Sequence, residues 1–121
     1  MNNAPDEKIS SKNAGLTPQQ AADVVQQVLA VMAGRWKLVI LFHLFDGKIR
    51  RFSELERLIP EISQKMLAQQ LRQLEKDDVV QRTIHAEVPP RVEYRLTALG
   101  EALCPALDEL VCWSWRRDGK V

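Results

Sequence analysis

Gln64, Lys65, Gln69, Arg72 and Lys76 follow one another at helical spacing in the stretch SQKMLAQQLRQLEK, residues 63–76. A glutamine amide can make two hydrogen bonds to an adenine edge, and arginine or lysine can pair with guanine O6 and N7. Lys65, Gln69, Arg72 and Lys76 share one face at about 100° per residue. Ser63, Gln64 and Lys65 crowd the first turn. Such a ridge of long amide and cationic side chains suits the groove of a duplex. It equally suits the solvated outer face of an ordinary bundle helix, because polar outer faces are the rule.

The elements around the ridge decide between these readings. Leu67, Leu71 and Leu74 form the opposite, apolar face of the same helix, which runs from an N-cap at Ser63 to about Lys76. Just before it, RFSELERLIPEI (residues 51–62) predicts a short helix. Ser53 and Glu56 have capping-box spacing, and Leu55, Leu58 and Ile59 give an apolar face. Pro60 stops that helix, since it lacks a backbone donor and biases Ile59 away from helical backbone. Two helices at a tight bend, the second displaying the ridge, predict a helix-turn-helix.

The 121-residue chain has the length of one domain and is 45% hydrophobic and 27% charged, which predicts a packed core. No apolar run nears the roughly 20 residues that cross a bilayer. The start, MNNAPDEKISSKNAG, lacks the apolar centre of a signal peptide, so a cytoplasmic location and no membrane partner are expected. Net charge is only +1, but residues 48–76 hold seven basic against four acidic side chains. A local basic surface is what phosphate contact requires. Cys104 and Cys112 have no CxxC spacing and no histidine nearby, which argues against a metal site or a disulfide scaffold. Eight residues apart, they sit about 12 Å apart along one helix and cannot bond within it. Both are expected to be buried structural cysteines.

In chain order, residues 1–16 read as a flexible polar arm, and 17–121 as the folded domain. Thr17, Pro18 and Gln20 carry the signals of a helix start: N-cap, first-turn proline and capping-box partner. Val24, Val25, Val28, Leu29 and Met32 give that helix an apolar face, and Gly34 ends it. WKLVILFHLF, residues 36–45, predicts a buried central helix before an Asp46-Gly47 turn. His43 within it reads as a packed or half-exposed side chain. Arg50 to Phe52 can form a short edge strand. After Asp78 the period becomes two: Val80, Arg82, Ile84 and Ala86 alternate with polar residues, as do Val92, Tyr94 and Leu96. Between the two runs lies a Pro89-Pro90-Arg91 tip, so a hairpin is expected, the wing of a winged helix. Arg91 at that tip suits a backbone or minor-groove contact. Thr97 caps a last helix to about Arg116, with Leu99, Leu103, Leu107 and Leu110 in one stripe, broadened by Val111, Trp113 and Trp115. That apolar excess predicts association through the first and last helices.

The chain resembles the HxlR family of bacterial winged-helix transcription regulators, relatives of the MarR type. AGRWKLVIL (Ala33 to Leu41), RRFSELERLIPEISQKMLAQQLRQLEKDDVVQRT (Arg50 to Thr83), EVPPRVEYRLTALG (Glu87 to Gly100) and the aromatic tail of the last helix carry the resemblance, in register from about Val24 to Trp115. It implies a dimeric DNA-binding repressor or activator that acts near its own promoter. Members of the family often carry a redox-sensing cysteine near the position of Asp23 and Val24. This chain has no cysteine before Cys104, so that switch is not carried over.

The expected fold is mainly α with a small β-hairpin (α+β), a winged helix-turn-helix dimerising through its first and last helices. The expected function is sequence-specific regulation of transcription, most simply repression at an inverted-repeat operator. Gln64, Lys65 and Gln69 would read base edges, while Arg51, Ser53, Ser63, Arg72 and Arg91 would hold mostly phosphates. Val25, Leu29, Leu103, Leu107, Leu110, Val111 and Trp113 would form the dimer interface. The partners are double-stranded DNA, a second copy of the chain and, where the regulator is inducible, a small-molecule effector. No cofactor and no metal are expected. The alternative is a winged helix that binds protein alone, which would not need the cationic ridge. An enzyme is disfavoured by the lack of paired carboxylates in an apolar setting, of a Cys–His pairing and of a Gly-rich phosphate loop.

Overall fold

The computed structural model describes residues 15–120, so all but the last two residues of the expected arm lie outside it. In order, the elements are α1 (Pro18–Val31), α2 (Lys37–His43), β1 (Arg50–Arg51), α3 (Phe52–Leu58), α4 (Gln64–Lys76), β2 (Val80–His85), β3 (Arg91–Leu96) and α5 (Ala98–Arg117). The chain divides into two compact units at Ala33–Gly34. Among the described residues, no helix is long and apolar enough to cross a membrane.

The first unit contributes α1. Its capping box is complete: the Thr17 hydroxyl accepts the Gln20 N–H at 3.2 Å, and the Gln20 side-chain oxygen accepts the Thr17 N–H at 3.0 Å. Gly34, with φ of +106°, follows the helix in a backbone conformation that a Cβ disfavours. Val24, Val25, Val28 and Leu29 are all exposed.

The second unit is built on the leucine face of α4. Leu67, Leu71 and Leu74 are at most 1% exposed; α4 contacts α2, whose segment buries Ile40, Leu41 and Leu44, and α2 in turn contacts α3, which buries Leu55. The α2 helix is shorter than the apolar run suggests and only one stripe of it is buried. Lys37, Ile40, Leu41 and Leu44 recur at i, i+3, i+4 and i+7 and face inward, whereas Leu38 and Phe42 fall on the other side and stay exposed. His43 is half-buried, and its carbonyl accepts a hydrogen bond from Arg50 Nε at 3.1 Å. The Asp46-Gly47 turn takes positive φ at both residues, +62° and +71°.

The sheet has three antiparallel strands in the order β1-β3-β2. Arg50 pairs with Tyr94 and Arg51 with Glu93, while β2 and β3 pair from Val80–Leu96 to His85–Arg91. Alternation then puts Val80, Tyr94 and Leu96 into the core. Arg91 is thus the first residue of β3 and closes the hairpin ladder; it does not sit at the tip.

The junction between α4, β2 and α5 is tightly made. Thr97 caps α5: its hydroxyl accepts the Gly100 N–H at 3.0 Å and donates to the Asp78 carbonyl at 2.6 Å, while its own N–H donates to the Val79 carbonyl at 3.0 Å. Gly100 lies so close to this turn that a Cβ would overlap the Val79 carbonyl oxygen. Backbone cannot yield as a flexible side chain does. Gly100→Ala is therefore expected to lower stability by about 1–3 kcal/mol through overpacking. Urea unfolding of the variant checks this; an unchanged midpoint would mean that the start of α5 shifts freely.

Candidate nucleic-acid interface

The bend between α3 and α4 forms much as its residues dictate. Pro60 follows the C-cap Ile59, and Ser63 caps α4 by accepting the Met66 N–H at 3.0 Å. The start of α3 differs from expectation. The helix begins at Phe52, so Ser53 is its second residue and not its N-cap. Glu54 instead accepts the Arg51 N–H at 2.8 Å. The cause is β1: pairing of Arg50 and Arg51 with β3 holds the backbone extended up to Arg51, and the helix can begin only after it.

Because the leucine face of α4 is buried, its ridge is forced outward. Ser63, Gln64, Lys65, Gln69 and Arg72 are all exposed on this one helix. Among the described residues neither Lys65 nor Arg72 enters an ion pair, so both cations stand ready for an external anion. Farther along, Glu75 meets Arg82 at 3.3 Å and ties α4 to β2. Burial, with the Glu75 carboxylate next in weight, pushes the nearby Tyr94 hydroxyl up from its ordinary value, so it stays protonated.

A second group gathers beside the wing. An open groove of about 450 Å³ has Arg51, Phe52 and Ser53 on one side and residues 87–92 on the other. It brings Arg51, Ser53 and Arg91 together. Arg91 is not a free cation, however. Its Nη1 lies 3.4 Å from Glu87 Oε2 and its Nε lies 3.6 Å from Glu93 Oε2. The second distance is too long for a hydrogen bond, which leaves Nε buried without a hydrogen-bond partner. The other oxygen of Glu93 sits 2.8 Å from His85 Nε2. That hydrogen bond, with Arg91 and Arg51 nearby, holds the Glu93 carboxyl below the usual carboxylate range and keeps it ionised at neutral pH. His85, Glu87 and Glu93 were not singled out in the sequence. The signal existed: Glu87 precedes Arg91 by four residues, and Glu93 follows it by two on the same strand face.

The proposed interface residues separate into two groups. Val25 and Leu29 on α1, and Leu110, Val111 and Trp113 on α5, are exposed, Trp113 at 58%. Leu103 is half-buried and Leu107 is buried within the chain, where it serves the core. Cys104 and Cys112 are free thiols and half-buried.

A helix pair with a projecting second helix and an adjoining antiparallel wing defines a winged helix-turn-helix transcription regulator. The family model of the HxlR-like helix-turn-helix matches residues 31–118, and the chain belongs to that family. The HTH-type transcriptional regulator YtcD of Bacillus subtilis is 53% identical over 97 residues, spanning 80% of this chain and 76% of that one. A solved structure from Enterococcus faecalis V583, assigned to the MarR family of transcriptional regulators, superposes with a TM-score of 0.80 at 40% identity, over 89% of this chain and 96% of that one. The reduced form of the redox regulator HypR superposes with a TM-score of 0.71 at 42% identity, over 77% and 93% of the two chains. The relatives are transcription regulators, not enzymes.

Both cysteines of this chain, Cys104 and Cys112, lie in α5. Burial first, and then the Glu101, Asp108 and Asp46 carboxylates, push the Cys104 thiol up from its ordinary value. Less thiolate is present at pH 7 than in an exposed thiol, and the thiolate is the reactive form. Alkylation of Cys104 by iodoacetamide, followed by peptide mass spectrometry, is expected to run severalfold slower than that of glutathione at pH 7 and to accelerate as pH rises. A rate equal to or above glutathione's would show an activated cysteine.

Proposed function

We propose that the protein is a homodimeric repressor that binds an inverted-repeat operator, with α4 in the major groove and the wing against the backbone or minor groove. The observation that carries this reading is the α4 ridge: exposed amides and cations, unpaired among the described residues, directly opposite a fully buried leucine face. Gln64, Lys65 and Gln69 read base edges. Arg51, Ser53, Ser63 and Arg72 hold phosphates, and Arg91 acts through the wing. The Ser63 hydroxyl spends its oxygen on the Met66 N–H and keeps its proton to donate. Membership in a family of DNA-binding regulators favours this over a pure protein-binding module. Titration of the intergenic duplex beside the gene against a scrambled duplex tests it.

Gln69 carries the sharpest test. It lies one turn beyond Lys65, in the same stripe as Arg72, and faces away from Leu67, Leu71 and Leu74. Two hydrogen bonds to adenine would supply roughly 1–3 kcal/mol of discrimination. Gln69→Ala is expected to reduce operator affinity by about tenfold with non-specific binding and folding intact. Binding to operators changed one base pair at a time would reveal the lost preference. A variant that keeps the parent's full base preference would displace this docking of α4.

A two-half-site operator needs a two-fold protein. The apolar faces of α1 (Val25, Leu29) and α5 (Leu110, Val111, Trp113, with Trp115 at 45% exposure) support a second copy as the partner that covers them. Sedimentation equilibrium at micromolar concentration is expected to return twice the chain mass. A monomer that still binds the operator tightly would remove the two-half-site mechanism.

A further inference from the structure

The wing holds a chain of charged groups that the reading of the α4 ridge does not use. Glu93 stands at its centre. One carboxylate oxygen meets His85 Nε2 at 2.8 Å, and the other faces Arg91 Nε at 3.6 Å. Arg91 reaches on to Glu87 at 3.4 Å. From the neighbouring strand Arg51 pairs in register with Glu93, and α3 adds only Phe52 and Ser53 to the groove, neither of which titrates near neutral pH. We propose that Glu93 positions His85 and Arg91 so that a proton on His85 strengthens the wing's hold on DNA. The inference rests on the DNA-binding reading above.

With His85 neutral, Arg51, Arg91 and the exposed Arg95 share this face with Glu93, and Glu87 pairs with Arg91, so the wing face offers an excess of one positive charge to a phosphate backbone. The Arg91 guanidinium is then partly occupied by Glu87 and Glu93. Histidine is the side chain whose ordinary titration falls between pH 5 and 8. A proton on His85 makes its bond to Glu93 charge-assisted and compensates that carboxylate internally. Arg91 is then less held, and the face gains one positive charge. A phosphate bound there stabilises the protonated form, so by linkage DNA binding takes up protons and tightens as pH falls. The contact carries no base information, and operator and scrambled duplex should respond alike.

Duplex titrations at pH 6 and pH 8, each at several salt concentrations, test this on the full chain. The parent is expected to bind both duplexes about three- to tenfold more tightly at pH 6, with a salt slope steeper by up to about one unit. The chain has two histidines, so His85→Gln leaves only His43. His85→Gln should keep the parent's pH 8 affinity and lose most of the pH dependence, whereas His43→Gln should retain that dependence. Glu93→Gln, which preserves size, should flatten the pH profile as well. If His85→Gln responds to pH as the parent does, the inference fails while the DNA-binding reading stands. If the parent binds neither duplex at either pH, both fall together.

Discussion

The burial of Leu67, Leu71 and Leu74 is the constraint from which the rest of this molecule follows. Each is at most 1% exposed, and burying a leucine stabilises by about 1.5–3 kcal/mol. Those three contacts set the rotation of α4 about its own axis. A helix whose rotation is set on one side has no choice about the other. Lys65, Gln69 and Arg72 must point outward, and among the described residues neither cation enters an ion pair. The Ser63 cap and Pro60 then determine where the helix starts, so the ridge begins at a defined height above the bend. A chain of net charge +1 can thereby present a cationic edge without being basic overall.

The wing is governed by a different balance. Its two strands hold together through the β2–β3 ladder, but its charged side chains are largely satisfied internally. An arginine near a wing tip is easily read as a phosphate contact. Here Glu87 and Glu93 share that guanidinium, so phosphate must compete with two carboxylates already in place. The cations of the ridge are thus free of the internal pairing that occupies Arg91 in the wing, among the described residues.

How much of this was legible in the sequence depended on how local the cause was. Thr17 with Gln20, Ser63 and Thr97 were readable as caps because a cap is settled within four residues, and all three form. Period-two alternation after Asp78 identified the hairpin, and the three-leucine stripe identified the inward face of α4. Ser53 misled for a tertiary reason. Ser53–Glu56 and Arg51–Glu54 both fit a cap spacing, and pairing of Arg50 and Arg51 with β3, some forty residues away, selected the second. The run from Trp36 to Phe45 looked uniformly buried because hydropathy does not distinguish core from an uncovered apolar stripe; Leu38 and Phe42 belong to the latter. Gly100 had no local signal at all. Its need for a missing Cβ comes from the Val79 carbonyl, which the fold brings to it.

The same distinction bears on the two apolar faces. In α5, Leu103 and Leu107 lie on one stripe with Leu99 and Leu110, yet Leu107 is buried and Leu110 is 56% exposed. A single stripe thus serves two purposes along its length: its middle anchors α5 to the domain, and its later turns project apolar surface beyond it. Pro105 sits within the helix without ending it. An isolated domain gains nothing from Trp113 and Trp115 in water, since that surface is costly to hydrate. The arrangement makes sense when the later turns of α5 belong to an interface. The spacing of two α4 ridges would then be set by how far α5 extends from the Thr97–Gly100 anchor. That anchor, through Val79 and Asp78, joins directly onto the end of α4. A change in how two copies meet along α5 would reach the DNA-facing helix through a rigid turn of a few residues, and the separation of the two ridges would follow it.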